Sequence, residues 1–172
     1  IFITLEEVLV KKMLGLALLT NFLISANITE KTQKMEKMPG YINVYWDEAE
    51  GKVFLEISKL DDELLYVNSL TAGLGSNDIG LDRGQIGGTR IIKFVKIGPK
   101  MLMVQPNYKF RALSKNTEEI NSVNDAFARS TIWGFQIEAK SGNSYLIDAT
   151  EFAMRDSHMI ISRLKRQNQG TF

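Results

Sequence analysis

From residue 41 onward the chain runs in short alternating stretches separated by turn-forming residues. Residues 41–46 (YINVYW) and 52–57 (KVFLEI) flank the turn-rich DEAEG, and the period-2 alternation on both sides predicts a hairpin. Side chains alternate across a strand, so Ile42, Val44 and Trp46 fall on one face and Tyr41, Asn43 and Tyr45 on the other. Further strands are predicted at 63–69 (ELLYVNS), 89–97 (TRIIKFVKI) and 101–105 (MLMVQ), the last two joined by Gly98-Pro99-Lys100. Another pair, 132–139 and 145–148, brackets the turn Ser141-Gly142-Asn143. Trp46, Trp133, Phe135 and Tyr145 sit at strand spacing and are read as core rather than as a platform for stacking sugars or peptides.

The period changes between these strands. Asn116 can cap a helix, Glu119 follows three residues later, and Ile120, Val123 and Phe127 share one face, with an end expected near Ser130. A shorter helix is predicted after Asp156, with Ile160, Ile161 and Leu164 as its apolar side. Antiparallel hairpins with one or two packed helices define an α+β, mainly β domain, built as a sheet or a sandwich, and not a βαβ repeat.

Residues 1–38 read differently. Lys11 and Lys12 precede an apolar run at 14–24 (LGLALLTNFLI), followed by Ser25-Ala26. That order is a signal peptide over 1–26, cut after Ala26, and implies an exported chain, periplasmic or extracellular, with no stable membrane anchor after cleavage. The run is too short to span a bilayer, which takes about 20 apolar residues. A buried apolar helix is the competing reading. Residues 27–38 (NITEKTQKMEKM) are polar and aperiodic and are read as a linker, so the β-rich body is expected over 39–172. Ile1 at one end and Gln169-Gly170-Thr171-Phe172 at the other read as cuts in a longer frame, truncating the domain at its C-terminus.

Composition narrows the chemistry. A chain of 172 residues, 44% hydrophobic and 24% charged, is an ordinary globular domain able to build a core without staples. Lys and Arg number 21 against 20 Asp and Glu, interspersed, which gives no case for a nucleic-acid partner. The absence of Cys excludes disulfides, thiolate nucleophiles and thiolate metal sites. A catalytic zinc of the protease kind needs two histidines one helical turn apart, a third ligand and a glutamate base. The chain has one histidine, His158, read as a surface or interface residue. Ser76, Ser130 and Ser157 lack the Gly-x-Ser-x-Gly turn of a hydrolase nucleophile. No catalytic residue, metal ligand or cofactor is therefore expected in this chain.

Residues 71–88 (TAGLGSNDIGLDRGQIGG) hold six glycines in eighteen positions, with Asn77, Asp78, Asp82, Arg83 and Gln85 between them. Such a loop can wrap a ligand or a neighbouring domain with its polar side chains turned inward, so these five are the candidate contact residues. The competing reading is a structural loop. It is no phosphate loop, because neither Gly-Lys-Ser/Thr nor a helix opening at a third glycine follows. Asp78 and Asp82 could in principle act as a hydrolase's carboxylate pair, although Arg83 offers a simpler internal ion pair.

The blocks YINVYWDEAEGKVFLEI, GSNDIGLDRGQ, FVKIGPKMLMVQPNYKFRA, AFARSTIWGF and DATEFAMRD, in this order, resemble the N-terminal region of large bacterial secreted zinc-dependent metalloproteases of the His-Glu-x-x-His type. The resemblance spans about Pro39 to Gly170 and implies a non-catalytic, exported module. Its partner would be a C-terminal catalytic domain of the same polypeptide, holding the zinc and the peptide substrate. The zinc helix itself is absent from this sequence, so no ligand or catalytic glutamate transfers to any position here. A self-sufficient exported module that binds peptide or glycan is the alternative.

Overall fold

The computed structural model describes residues 26–70, 72 and 84–168. They form strands β1 (Glu36–Met38), β2 (Asn43–Asp47), β3 (Lys52–Ile57), β4 (Leu64–Ser69), β5 (Ile86–Ile97), β6 (Lys100–Gln105), β7 (Ser130–Ser141) and β8 (Ser144–Asp148). Four short helices accompany them: α1 (Ile28–Lys31), α2 (Thr117–Ala126), α3 (Thr150–Met154) and α4 (Ile160–Arg166). All eight strands join in one antiparallel sheet, ordered β1-β2-β3-β8-β7-β6-β5-β4 and curled into a half-barrel. The α+β, mainly β class follows from the hairpin pattern, and the choice between sheet and sandwich falls to a single curled sheet. The predicted hairpins are present as β2–β3, β5–β6 and β7–β8, and the latter two turn through Gly98 (φ 56°) and Gly142 (φ 56°). A residue with Cβ is strained at such positive φ.

The curl has a simple cause in the chain order. β3 and β4 are consecutive in sequence yet five strand positions apart, about 24 Å across a flat sheet at the usual strand spacing. The 58–63 connection would have to run almost fully extended to cover that distance. Instead it turns through Asp61 in a left-handed conformation (φ 61°), and Asp61 N donates to Phe94 O at 3.0 Å. The sheet bends to bring its two ends within reach of the connection.

Bending creates an inner face with contributions from both ends. Ile57, Phe94, Met101, Met103, Phe135 and Ile147 are buried there in one cluster, with Ile42 of the 39–42 lead-in and Leu64 of β4 packed against it. The open side of the half-barrel receives α3. Thr150 N donates to Asp148 Oδ1 at 2.9 Å, starting the helix directly at the end of β8. Phe152 then meets Phe135, Trp133 and Tyr66 at ring-centroid distances of 5.3, 5.7 and 5.9 Å. Arg155 closes the plug, its guanidinium 3.5 Å from the Phe152 centroid and hydrogen-bonded to the Tyr66 hydroxyl. Phe135 is core as expected, whereas Trp46, Trp133 and Tyr145 are only partly buried.

The outer face has its own small core at the β2–β3–β8 end. Tyr45, Phe54, Ala139 and Leu146 are buried together under Ile28 of α1. This corrects the expected linker at 27–38, which is instead a helical turn followed by edge strand β1. Asn27 Oδ1 accepts from Thr29 N at 3.1 Å to cap the turn, and Ile28 is 4% exposed. A single apolar anchor leaves no periodicity to read, so tertiary burial alone decides this segment. In β2 the faces alternate as predicted, but the polar-looking face is the more deeply buried one. Tyr45 is buried because Glu56 Oε2 accepts from its hydroxyl at 2.8 Å and from Asn43 Nδ2 at 2.9 Å. Apart from Ala26, the leader expected at 1–26 lies outside the described residues. Ala26 packs on this second core, and its carbonyl accepts from Lys140 N at 3.0 Å. Among the described residues no helix is long and apolar enough to cross a membrane.

Candidate functional site

At the other end of the outer face, β6 and β7 are joined by the long 106–129 crossover that carries α2. Pro106 has no N–H to extend the ladder, so the strand stops there. Asn107 then turns the chain, its Oδ1 accepting from Lys109 N at 3.1 Å and Phe110 N at 3.4 Å. Asn116 caps α2 as predicted, accepting from Glu118 N at 2.9 Å. The helix ends at Ala126 rather than near Ser130, because Ser130 is taken by β7 and pairs with Gln105. Phe127 at the helix end stacks on Phe110, with centroids 4.3 Å apart and planes 15° from parallel. That stack fastens both limbs of the crossover to each other.

No residue of α2 is buried, so the crossover roofs the sheet without sealing it. The result is a cleft of about 720 Å³, floored by Val95 and Val104 and walled by Phe110, Ile120 and Phe127. A second hollow of about 440 Å³ lies across the 106–108 strap and shares Pro106, Asn107, Tyr108 and Ala128 with the first.

The charges around the two hollows are unequal. Lys93 Nζ lies 3.4 Å from Glu63 Oε1, and the Tyr108 hydroxyl donates to the same oxygen. The Tyr108 hydrogen bond, with Lys93 beside it, holds the Glu63 carboxyl below the usual carboxylate value of 4.5. The same bond pushes the Tyr108 phenol above 10.0. Lys93 is thus neutralised. Arg111, Arg129 and, across the strap, Arg90 form no ion pair among the described residues. Arg111 instead lies 5.7 Å from the Tyr108 ring and Lys109 5.5 Å from the Phe110 ring, and Asp61 is the only acid among the described residues that line either hollow.

The loop singled out in the sequence contributes little of this. Asn77, Asp78, Asp82 and Arg83 lie outside the described residues. Gln85 lies inside them but does not line the cleft. Its carbonyl accepts from Leu70 N at 2.9 Å, and its side-chain Oε1 is buried without a hydrogen-bond partner. The glycine-rich loop is also shorter than it looks, because Ile86, Gly87 and Gly88 belong to β5. A Cβ at Gly87 would lie 2.5 Å from the Asn68 side chain, so glycine is what seats Asn68 there. Asn68 Nδ2 in turn lies 3.2 Å from His158 Nε2. His158, expected as a surface or interface residue, is 7% exposed, because the 155–159 turn packs it against β4. Among the described residues no group of three or more His, Asp or Glu is arranged to hold a metal ion.

The 106–129 cleft escaped the sequence reading because its residues are ordinary one by one. The available signal was Pro106-Asn107, which marks a turn, followed by cations at 109, 111 and 129 beside two phenylalanines.

Fold and cleft together define a single-sheet half-barrel module with open, cation-rimmed hollows on either side of the 106–108 strap. The chain belongs to the family described as Domain of unknown function (DUF5117), which matches residues 84–172, just over half its length. A second family, Domain of unknown function (DUF5118), matches residues 26–73. No curated protein and no solved structure matches the chain. The two matched segments share one sheet: residues 26–73 supply β1–β3 at one border and β4 at the other, and residues 84–172 fill the middle.

Proposed function

We propose that this chain is a non-catalytic N-terminal module of an exported zinc-dependent metalloprotease, packing against or shaping the substrate cleft of a catalytic domain elsewhere in the same polypeptide. The observation that carries the reading is the open hollow under the 106–129 crossover, whose aromatic walls stay exposed and whose arginines form no ion pair among the described residues. A rigid sheet beneath and a loosely seated roof above suit a surface that meets a neighbouring domain or a peptide. The ordered sequence blocks that resemble such proteases supply the identity of the neighbour. Zinc belongs to that neighbour on this reading. The one histidine here is buried beside Asn68 and does not fit a ligand set.

The reading is tested by the reading frame after Phe172 together with peptidase assays on the 172-residue chain and on the extended polypeptide. A His-Glu-x-x-His helix downstream, with zinc-dependent cleavage by the extended protein only, supports it. A continuation without that motif, or metal-dependent cleavage by the 172-residue chain alone, overturns it. N-terminal sequencing of the protein recovered from its compartment checks the export part, with loss of the apolar 14–24 run expected. The stacked Phe110–Phe127 pair equally favours a self-sufficient exported module for peptide or glycan, which a continuation lacking zinc ligands would leave standing.

A further inference from the structure

From the charge and shape of the two hollows we infer that the cleft under the 106–129 crossover binds an extended acidic peptide segment, its carboxylates taken by Arg111 and Arg129 and an apolar side chain seated against Phe110 and Phe127. The inference rests on reading this cleft as a contact surface, and does not depend on the neighbour being a protease.

Glu63 pairs with Lys93, so the Lys93 side of the cleft already has a counter-charge. Arg111 and Arg129 are left on one side of the 106–108 strap, with Arg90 and Lys109 on the other, against a single lining carboxylate at Asp61. Guanidinium forks match carboxylates in bidentate geometry, which an ammonium cannot do. A chain laid across the strap would meet cations on both sides of it. The floor adds a second requirement. Val95 and Ile120, both partly exposed, offer apolar surface to whatever lies between the arginines, so a ligand needs a hydrophobic side chain as well as charge. Acidic peptides carry both.

A nucleic acid fits less well. The chain as a whole is balanced, with 21 basic against 20 acidic residues, which gives no electrostatic case for a polyanion. Polyanion binders spread their cations along a face to release counterions from many phosphates.

The test uses the 172-residue chain and fluorescence anisotropy with a labelled ten-residue peptide of Glu, Asp and one central Phe. Matched peptides carry Gln and Asn, or Lys, in place of the acids. The acidic peptide is expected to bind at least about tenfold more tightly than the neutral one, and to weaken as salt rises. Arg111→Gln with Arg129→Gln should remove that preference, Arg111→Lys should keep part of it, and Lys34→Gln, remote from the cleft, should leave it intact. Both arginines are exposed, so the variants are expected to melt like the parent chain. Should the double variant melt early, Arg129→Glu alone serves, and a shift of preference toward the lysine peptide is expected. Equal binding of acidic and neutral peptides, no binding at millimolar peptide, or an unchanged preference in a correctly folded double variant overturns the inference. Tighter binding of a single-stranded oligonucleotide of equal charge also overturns it, in favour of a nucleic-acid ligand. Loss of the acid preference leaves the protease reading untouched, whereas a downstream frame without zinc ligands sinks that reading and leaves this one.

Discussion

The two ends of the outer face start from similar material and finish differently. At the β2–β3–β8 end, Phe54, Ala139 and Leu146 lie at 2%, 0% and 0% exposure beneath Ile28, and the lid is a single helical turn held by the Ala26–Lys140 backbone bond. At the β5–β6 end the lid is the whole 106–129 crossover, which helps bury Val104 at 2% exposure, yet Phe110 and Phe127 remain 45% and 41% exposed and a hollow is left beside them. More chain covers less surface. The difference lies in what the lid offers the sheet: α1 presents one well-placed isoleucine, whereas α2 buries none of its side chains. A helix held by its ends rather than by its face leaves a hollow, and hollows of this size are where ligands and neighbouring domains bind.

Removing one phenylalanine from each end tests this difference most strongly. Phe54→Ala should cost about 3–5 kcal/mol, because a fully buried ring leaves a cavity that strands on both sides hold open. Urea unfolding measures it, and a loss under about 1 kcal/mol would mean the closed end is not a core. Ile28→Ala comes next, at about 2–4 kcal/mol, since it deletes the only apolar anchor of α1. Loss of amide protection at Lys140, whose N–H is bonded beside that anchor, should accompany it in hydrogen exchange. Phe110→Ala should cost only about 1 kcal/mol, the worth of one exposed aromatic stack, while weakening whatever binds the cleft. A Phe110→Ala penalty as large as that of Phe54→Ala would show the crossover to be as well seated as α1.

The smallest effect concerns pH at the closed end. Burial works against the charged Glu56, but hydrogen bonds from Asn43 and Tyr45 outweigh it and hold its carboxyl below 4.5. A lowered folded value contributes stability that is present above 4.5 and disappears as pH falls through the folded value. Tyr45 runs the other way: burial, then the bond to Glu56, pushes its phenol above 10.0, so its contribution is present below 10.0 and fades as pH rises through the folded value. Glu56→Gln should therefore flatten the acid limb of the stability profile below pH 4.5, read by urea midpoints at neutral and acid pH. An acid limb as steep as that of the parent chain would place the titration elsewhere.

The β-rich class and the hairpins were legible because strand alternation and turn residues act locally. The α2 cap was legible for the same reason, since Asn116 bonds two residues away. The candidate site was not. The glycine-rich run drew attention by composition, yet of its five polar candidates only Gln85 lies among the described residues, turned away from the cleft. Arg111 and Arg129 stand eighteen positions apart and converge only because α2 folds the crossover back over β5 and β6.

What the sequence determines by itself is therefore what short-range physics can specify: the strands, the three hairpins, the cap of α2, and, with a single histidine, the lack of a His-Glu-x-x-His motif in these 172 residues. Tertiary structure decides the rest. Pairing β3 with β8 aligns Phe54 with Asp148, a contact that no local period encodes, and it pays only when both faces find matching surface. The curl, the burial of Ile28 and His158, and the open cleft all follow from that long-range closure, because each depends on which distant residues arrive opposite one another.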